Sequence, residues 1–170
     1  MKIVMDSDCL VKLTKSGVKE AVLAALETSI PLLVQKETVE EAKKRDYPDA
    51  FIIKDNVHKR MLRVVPAGRK RMAALPVSKG EAEVMALYLD GGYDAVASDD
   101  KRFLKKLEAA GIPYLTASAC VVFLNRRGKA SRKDVVGMLN RLRPFISAEE
   151  YEIARYLMEG NHESKSSKTS

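Results

Sequence analysis

Short apolar runs alternate along the chain with stretches whose apolar residues recur at helical spacing. Lys2–Met5 is apolar after its first residue and stops at Asp6-Ser7-Asp8, the pattern of a buried strand running into a polar turn. Residues 9–27 carry helical patterning, with Leu10, Leu13, Val18, Val22 and Leu26 as core candidates and a break at Gly17. Ile30–Val34 reads as a second strand entered through Pro31, and Glu37–Arg45 as a charged helix with Val39 and Ala42 facing inward. The pattern predicts a helix across 49–60 and a short strand near 62–65. Ser78 and Glu81 have the spacing of a capping box, opening a helix with an Ala82, Met85, Ala86, Leu89 stripe that stops at Gly91-Gly92. Asp94–Ala97 is a strand ending in Ser98-Asp99-Asp100, followed by a helix over Lys101–Ala110 and a strand over Tyr114–Thr116. Helices are expected over 117–126, 132–142 and 147–158, the last opened by Ser147 and Glu150.

This alternation argues for one α/β domain over residues 1–158, with residues 159–170 a polar, serine-rich disordered tail. A chain of 170 residues, 46% apolar, is long enough to bury a core. No apolar run approaches the ~18–20 residues that span a bilayer, and the N-terminus turns acidic too early for a signal peptide. Cys9 and Cys120 lack CxxC spacing and read as buried free thiols of a cytoplasmic protein. The formal net charge of +7 points to a polyanionic partner, because each phosphate contact by Lys or Arg releases counterions.

Against that positive background the acids fall into a pattern. Two apolar strands, 2–5 and 94–97, end in Asp6/Asp8 and Asp99/Asp100, and two predicted helices carry Glu40/Glu41 and Glu81/Glu83 within their first turns. In a parallel α/β sheet, strand C-termini and the helix N-termini that follow share one edge, where ligands bind. Four or five carboxylates gathered there repel one another unless a cation neutralises them. Oxygen ligands without neighbouring Cys or His select Mg²⁺ or Mn²⁺. Each acid taken singly also has a capping role available to it.

At these residues the sequence resembles a PIN domain, the metal-dependent nuclease fold of VapC-type toxins and ribosomal-RNA processing endonucleases. Ile3-Val4-Met5-Asp6-Ser7-Asp8 matches the family's opening strand and Asp, and Val39-Glu40-Glu41-Ala42 its second acid, in a register that favours Glu41. Gly80-Glu81-Ala82-Glu83-Val84-Met85 is similar to the helix of the third acid, favouring Glu81, and Ala97-Ser98-Asp99-Asp100 to the last acidic strand end, favouring Asp100. The third acid is Glu where toxins more often have Asp. The resemblance implies a three-layer α/β/α fold with a central parallel sheet of about 4–5 strands and helices on both faces. It also implies hydrolysis of phosphodiester bonds in single-stranded or structured RNA. Asp6, Glu41, Glu81 and Asp100 would be catalytic, and with Asp99 they would hold Mg²⁺ or Mn²⁺. Glu40, Glu83 and Asp8 are the alternates within the acidic pairs, and Ser7 and Ser98 support the ligands. Lys12, Lys15, Lys101 and Arg102 are the basic residues placed to contact RNA, mainly through backbone charge. A toxin would require an antitoxin partner. The family's homodimers would find a surface in Leu139, Leu142, Ile153, Tyr156 and Leu157.

Two other readings compete. A PIN-like module could bind RNA or assemble with proteins without cutting. A haloacid-dehalogenase or receiver-type enzyme also places Asp after its first strand, and Asp6-x-Asp8 fits that pattern, but the later-strand Lys such enzymes need has no convincing match.

Overall fold

A computed structural model describes residues 1–44, 46–68 and 77–159. The basic run Arg69-Lys70-Arg71 and residues 160–170 of the predicted tail lie outside the described residues. The strands are β1 (Lys2–Met5), β2 (Glu27–Pro31), β3 (Leu62–Val65), β4 (Ala95–Ala97) and β5 (Tyr114–Leu115). They form one all-parallel sheet in the order β3-β2-β1-β4-β5, with helices on both faces, the three-layer α/β/α arrangement that the resemblance implied.

Both faces of β1 are covered, so Ile3, Val4 and Met5 are fully buried and the strand is apolar without alternation. The chain winds outward from β1 through β2 to β3, then returns to the other side of β1 for β4 and β5. A parallel sheet whose strand order reverses in this way opens a crevice at the C-terminal ends of the strands flanking the switch. Here those strands are β1 and β4. Their register pairs Met5 with Ala97, so Asp6 and Ser98 leave the sheet side by side. The Asp6 N–H still donates to the Ala97 carbonyl at 3.0 Å, which carries the alignment one residue past the strands.

The helices are α1 (Ser7–Lys15), α2 (Lys19–Ala25), α3 (Leu32–Gln35), α4 (Ala42–Lys44), α5 (Asp49–His58), α6 (Lys79–Leu89), α7 (Lys101–Ala109), α8 (Ala117–Arg126), α9 (Arg132–Leu142) and α10 (Ala148–Glu159). A π-helical segment, Lys36–Glu41, joins α3 to α4. Helix α1 packs on α2, α5 and α8, while α6 packs on α3 and lies across β1, β2 and β4. Among the described residues no helix is long and apolar enough to cross a membrane.

Most predicted elements stand where the pattern placed them, but β2 does not. The apolar run Ile30–Val34 suggested a strand there. In the fold the strand ends at Pro31, and Leu32 already begins a helical stretch that continues to Lys44. Proline is tolerated at both a strand end and a helix entry. Glu83, on α6, then accepts the Leu33 N–H at 2.9 Å, satisfying one of the open donors at the start of this helix. Glu40 and Glu41 therefore sit well into the helical stretch rather than in its first turn. The C-terminal apolar residues also divide: Leu139 and Leu142 are core, while Ile153, Tyr156 and Leu157 are exposed on α10.

Candidate metal centre

Asp6 is the N-cap of α1, and its carboxylate is held from two sides. Oδ1 accepts the Cys9 N–H at 2.8 Å, and Oδ2 accepts the hydroxyl of the fully buried Ser98. Burial pushes the Asp6 carboxyl up to about 7, against these two hydrogen bonds, with Asp8 and Asp99 adding like charge. A carboxylate kept this way near neutral pH is a functional-site candidate on physical grounds alone.

Around Asp6 opens a cleft of about 380 Å³ whose acidic lining is Asp8, Glu37, Glu81 and Asp100, with Ser7 and Lys79 also on its walls. Glu37 was not among the acids singled out by sequence. Placing the helix start at Leu32 and winding the chain through a π segment turn Glu37 into this cleft. Glu41 instead lines a neighbouring cleft of about 360 Å³ with Asp8, Lys15, Tyr47 and Asp49. The two clefts share Ser7, Asp8 and Glu37, so they form one acidic trough along the sheet edge. Glu40 is exposed, and Glu83 is spent on the Leu33 N–H.

Asp99 and Asp100 diverge although they are adjacent. Asp100 caps α7, accepting the Arg102 and Phe103 N–H groups at 2.8 and 3.1 Å, and remains on the cleft wall. Asp99 accepts the Ala117 N–H at 2.7 Å at the start of α8 and lines a different pocket together with Lys101 and Glu150. Its Oδ2 is buried without a hydrogen bond, and Lys12 Nζ stands 3.5 Å away. Burial and the nearby Glu150 charge raise Asp99 to about 6, opposed by the Ala117 N–H and by Lys12. Asp99 is thus tied to the packing of α8.

Lysines already sit on three of the acids. Lys12 bridges Asp8, at 2.8 Å, and Asp99; burial pulls its ammonium down, but the two carboxylates outweigh this and raise it. That pairing places Lys12 inside the acidic centre, whereas Lys15, Lys101 and Arg102 are exposed. On the opposite wall Lys106 reaches both oxygens of Glu81, at 2.9 and 2.8 Å. Glu81 Oε2 also accepts the Ser78 N–H at 2.8 Å, closing the capping box predicted for α6. Burial would raise Glu81, but Lys106 and the Ser78 N–H hold it below the usual carboxylate range. A pairing between residues 25 apart in sequence leaves no spacing signal, and Lys106 was missed for that reason.

The donor set suits a hard divalent cation: carboxylates with a few hydroxyls, and no His or thiol sulfur on the cleft wall. In the present arrangement no three such ligands, among the described residues, stand close enough to share an ion. Glu81 is engaged by Lys106 and Asp100 by the α7 amides, so shared coordination requires these side chains to turn toward Asp6.

A family model described as a PIN domain matches residues 2–157 of the chain. No curated protein matches it.

Proposed function

The chain belongs to the PIN-domain family, and from that premise we propose that it is a ribonuclease dependent on Mg²⁺ or Mn²⁺, with the Asp6 cleft as its active site. The supporting observation is the gathering of Asp6, Asp8, Glu37, Glu81 and Asp100 around one cleft at the C-terminal ends of β1 and β4. A divalent cation bound there would activate water and offset charge on the scissile phosphate. Asp6, fixed by Cys9 and Ser98, is the anchoring ligand. Glu81 and Asp100 complete the set from the far wall, with Glu37 and Glu41 as the acids available from the helical stretch after β2. Asp8 is more a partner of Lys12 than a ligand. A net charge of +7 suits a polyanionic substrate. Lys15 and the exposed Tyr47, on the rim of the trough, are placed to meet a phosphate and a base.

The reading is tested by incubating the protein with mixed single-stranded RNA and DNA over a Mn²⁺ series, beside a chelated control and a small phosphomonoester. Metal-dependent cutting of RNA is expected. Release of inorganic phosphate from the monoester without RNA cutting would make it a phosphatase. Retention of RNA without cutting, at every metal concentration, would make it a binding module.

A further inference from the structure

The ammonium of Lys106 occupies the ligand face of Glu81. It lies at hydrogen-bond distance from both carboxylate oxygens, and the Ser78 N–H takes a further lone pair of Oε2. Glu81 lies mostly out of solvent while Lys106, in the last turn of α7, stays 42% exposed, so its ammonium can turn into solvent. The three hydrogen bonds leave one lone pair of Glu81, on Oε1, so a divalent cation taking both oxygens must displace the ammonium, and one taking the open site alone meets the repulsion of a neighbouring positive charge. Lys12 differs: it is pinned between Asp8 and the buried Asp99, whose orphan oxygen has it as counter-charge.

We infer that Lys106 is a built-in competitor of the divalent cation at Glu81, holding that ligand while the metal is absent and giving it up on metal entry. The inference rests on the Asp6 cleft being a divalent-cation site. It assigns Lys106 two consequences. Metal affinity is lower than the carboxylate set alone would give, and metal entry releases a lysine beside the cleft, where it can meet a substrate phosphate.

The test is calorimetric titration of the full chain with Mn²⁺ alone, without nucleic acid, for the wild type, Lys106→Met, Lys105→Met and Asp6→Asn. Lys105→Met removes an equal charge from the exposed neighbouring residue. A partly exposed ion pair predicts that Lys106→Met binds Mn²⁺ about three- to fivefold tighter. Lys105→Met should change affinity by less than about twofold, since a solvated charge at that distance is largely screened. In a Glu81→Gln background the gain from Lys106→Met should vanish. Unchanged or weaker binding by Lys106→Met, while wild-type binding depends on Asp6, overturns the competition alone. Absence of binding in both the wild type and Lys106→Met overturns the cation site and this inference together.

Discussion

Asp6 carries a cost that the sequence could not reveal. Its carboxyl ionises near 3.8 in the unfolded chain and at about 7 in the fold. Below the first value both states are protonated and Asp6 costs nothing. Between the two values the fold must take up a proton, and above about 7 it must keep a buried charge, so the penalty grows through this window and then levels off. Asn mimics the protonated acid: its amide oxygen can accept the Cys9 N–H and its amide nitrogen can donate to Ser98. With metal chelated, Asp6→Asn should match the wild type near pH 4 and become more stable as pH rises through 7, by roughly 2–4 kcal/mol. Urea unfolding at several pH values measures this, and a difference independent of pH would contradict it. Added Mn²⁺ should shrink the gap by stabilising only the wild type. Asp6 was legible in sequence because it ends an apolar strand. The split between Asp99 and Asp100 was not, because it depends on two different helix starts, α7 and α8, offering amides to adjacent side chains.

At the scale of elements, capping chemistry and tertiary contacts did different amounts of the work. The Ser78–Glu81 box was readable from spacing and forms as expected. The Ser131–Asp134 box at the start of α9 forms too, although Asp at the third position is a weaker sequence signal. At α10 only half of the Ser147–Glu150 box forms, since the Glu150 carboxylate accepts the Ser118 hydroxyl at 2.8 Å instead. The start of α3 depends on Glu83, 50 residues away, and no local pattern announces it. The early helix start and the π segment after it bring Glu37 to the Asp6 cleft and leave Glu41 on the adjoining one. The two complete boxes allow a comparison. Ser78→Ala and Ser131→Ala should each cost about 1 kcal/mol in denaturant unfolding. Only Ser78→Ala should also shift the Mn²⁺ titration, because only that box orients an acid of the cleft. Equal effects on metal binding would detach Glu81 from the site.

For the whole molecule, topology decides where chemistry can occur. The order β3-β2-β1-β4-β5 puts the chain reversal beside β1, and both strand ends at the reversal carry acids. The two acidic strand ends and a parallel sheet that would carry them to one edge were visible in the sequence; the strand order that sets them side by side was not. The pairings of Lys106 with Glu81 and of Lys12 with Asp99 were not visible, because each is made by folding, whereas Lys12 and Asp8 lie four residues apart on one helix. The net charge of +7 contrasts with the five acids gathered around the Asp6 cleft. The most direct measurement is cleavage of a labelled single-stranded RNA by the wild type and Asp6→Asn in saturating Mn²⁺, with circular dichroism and RNA retention recorded for both. Asp6→Asn should keep its fold and its RNA binding and lose at least about a hundredfold in cleavage rate, as expected when an anchoring ligand of the reaction's cation is removed. Cleavage at the wild-type rate by a folded Asp6→Asn protein would contradict the account.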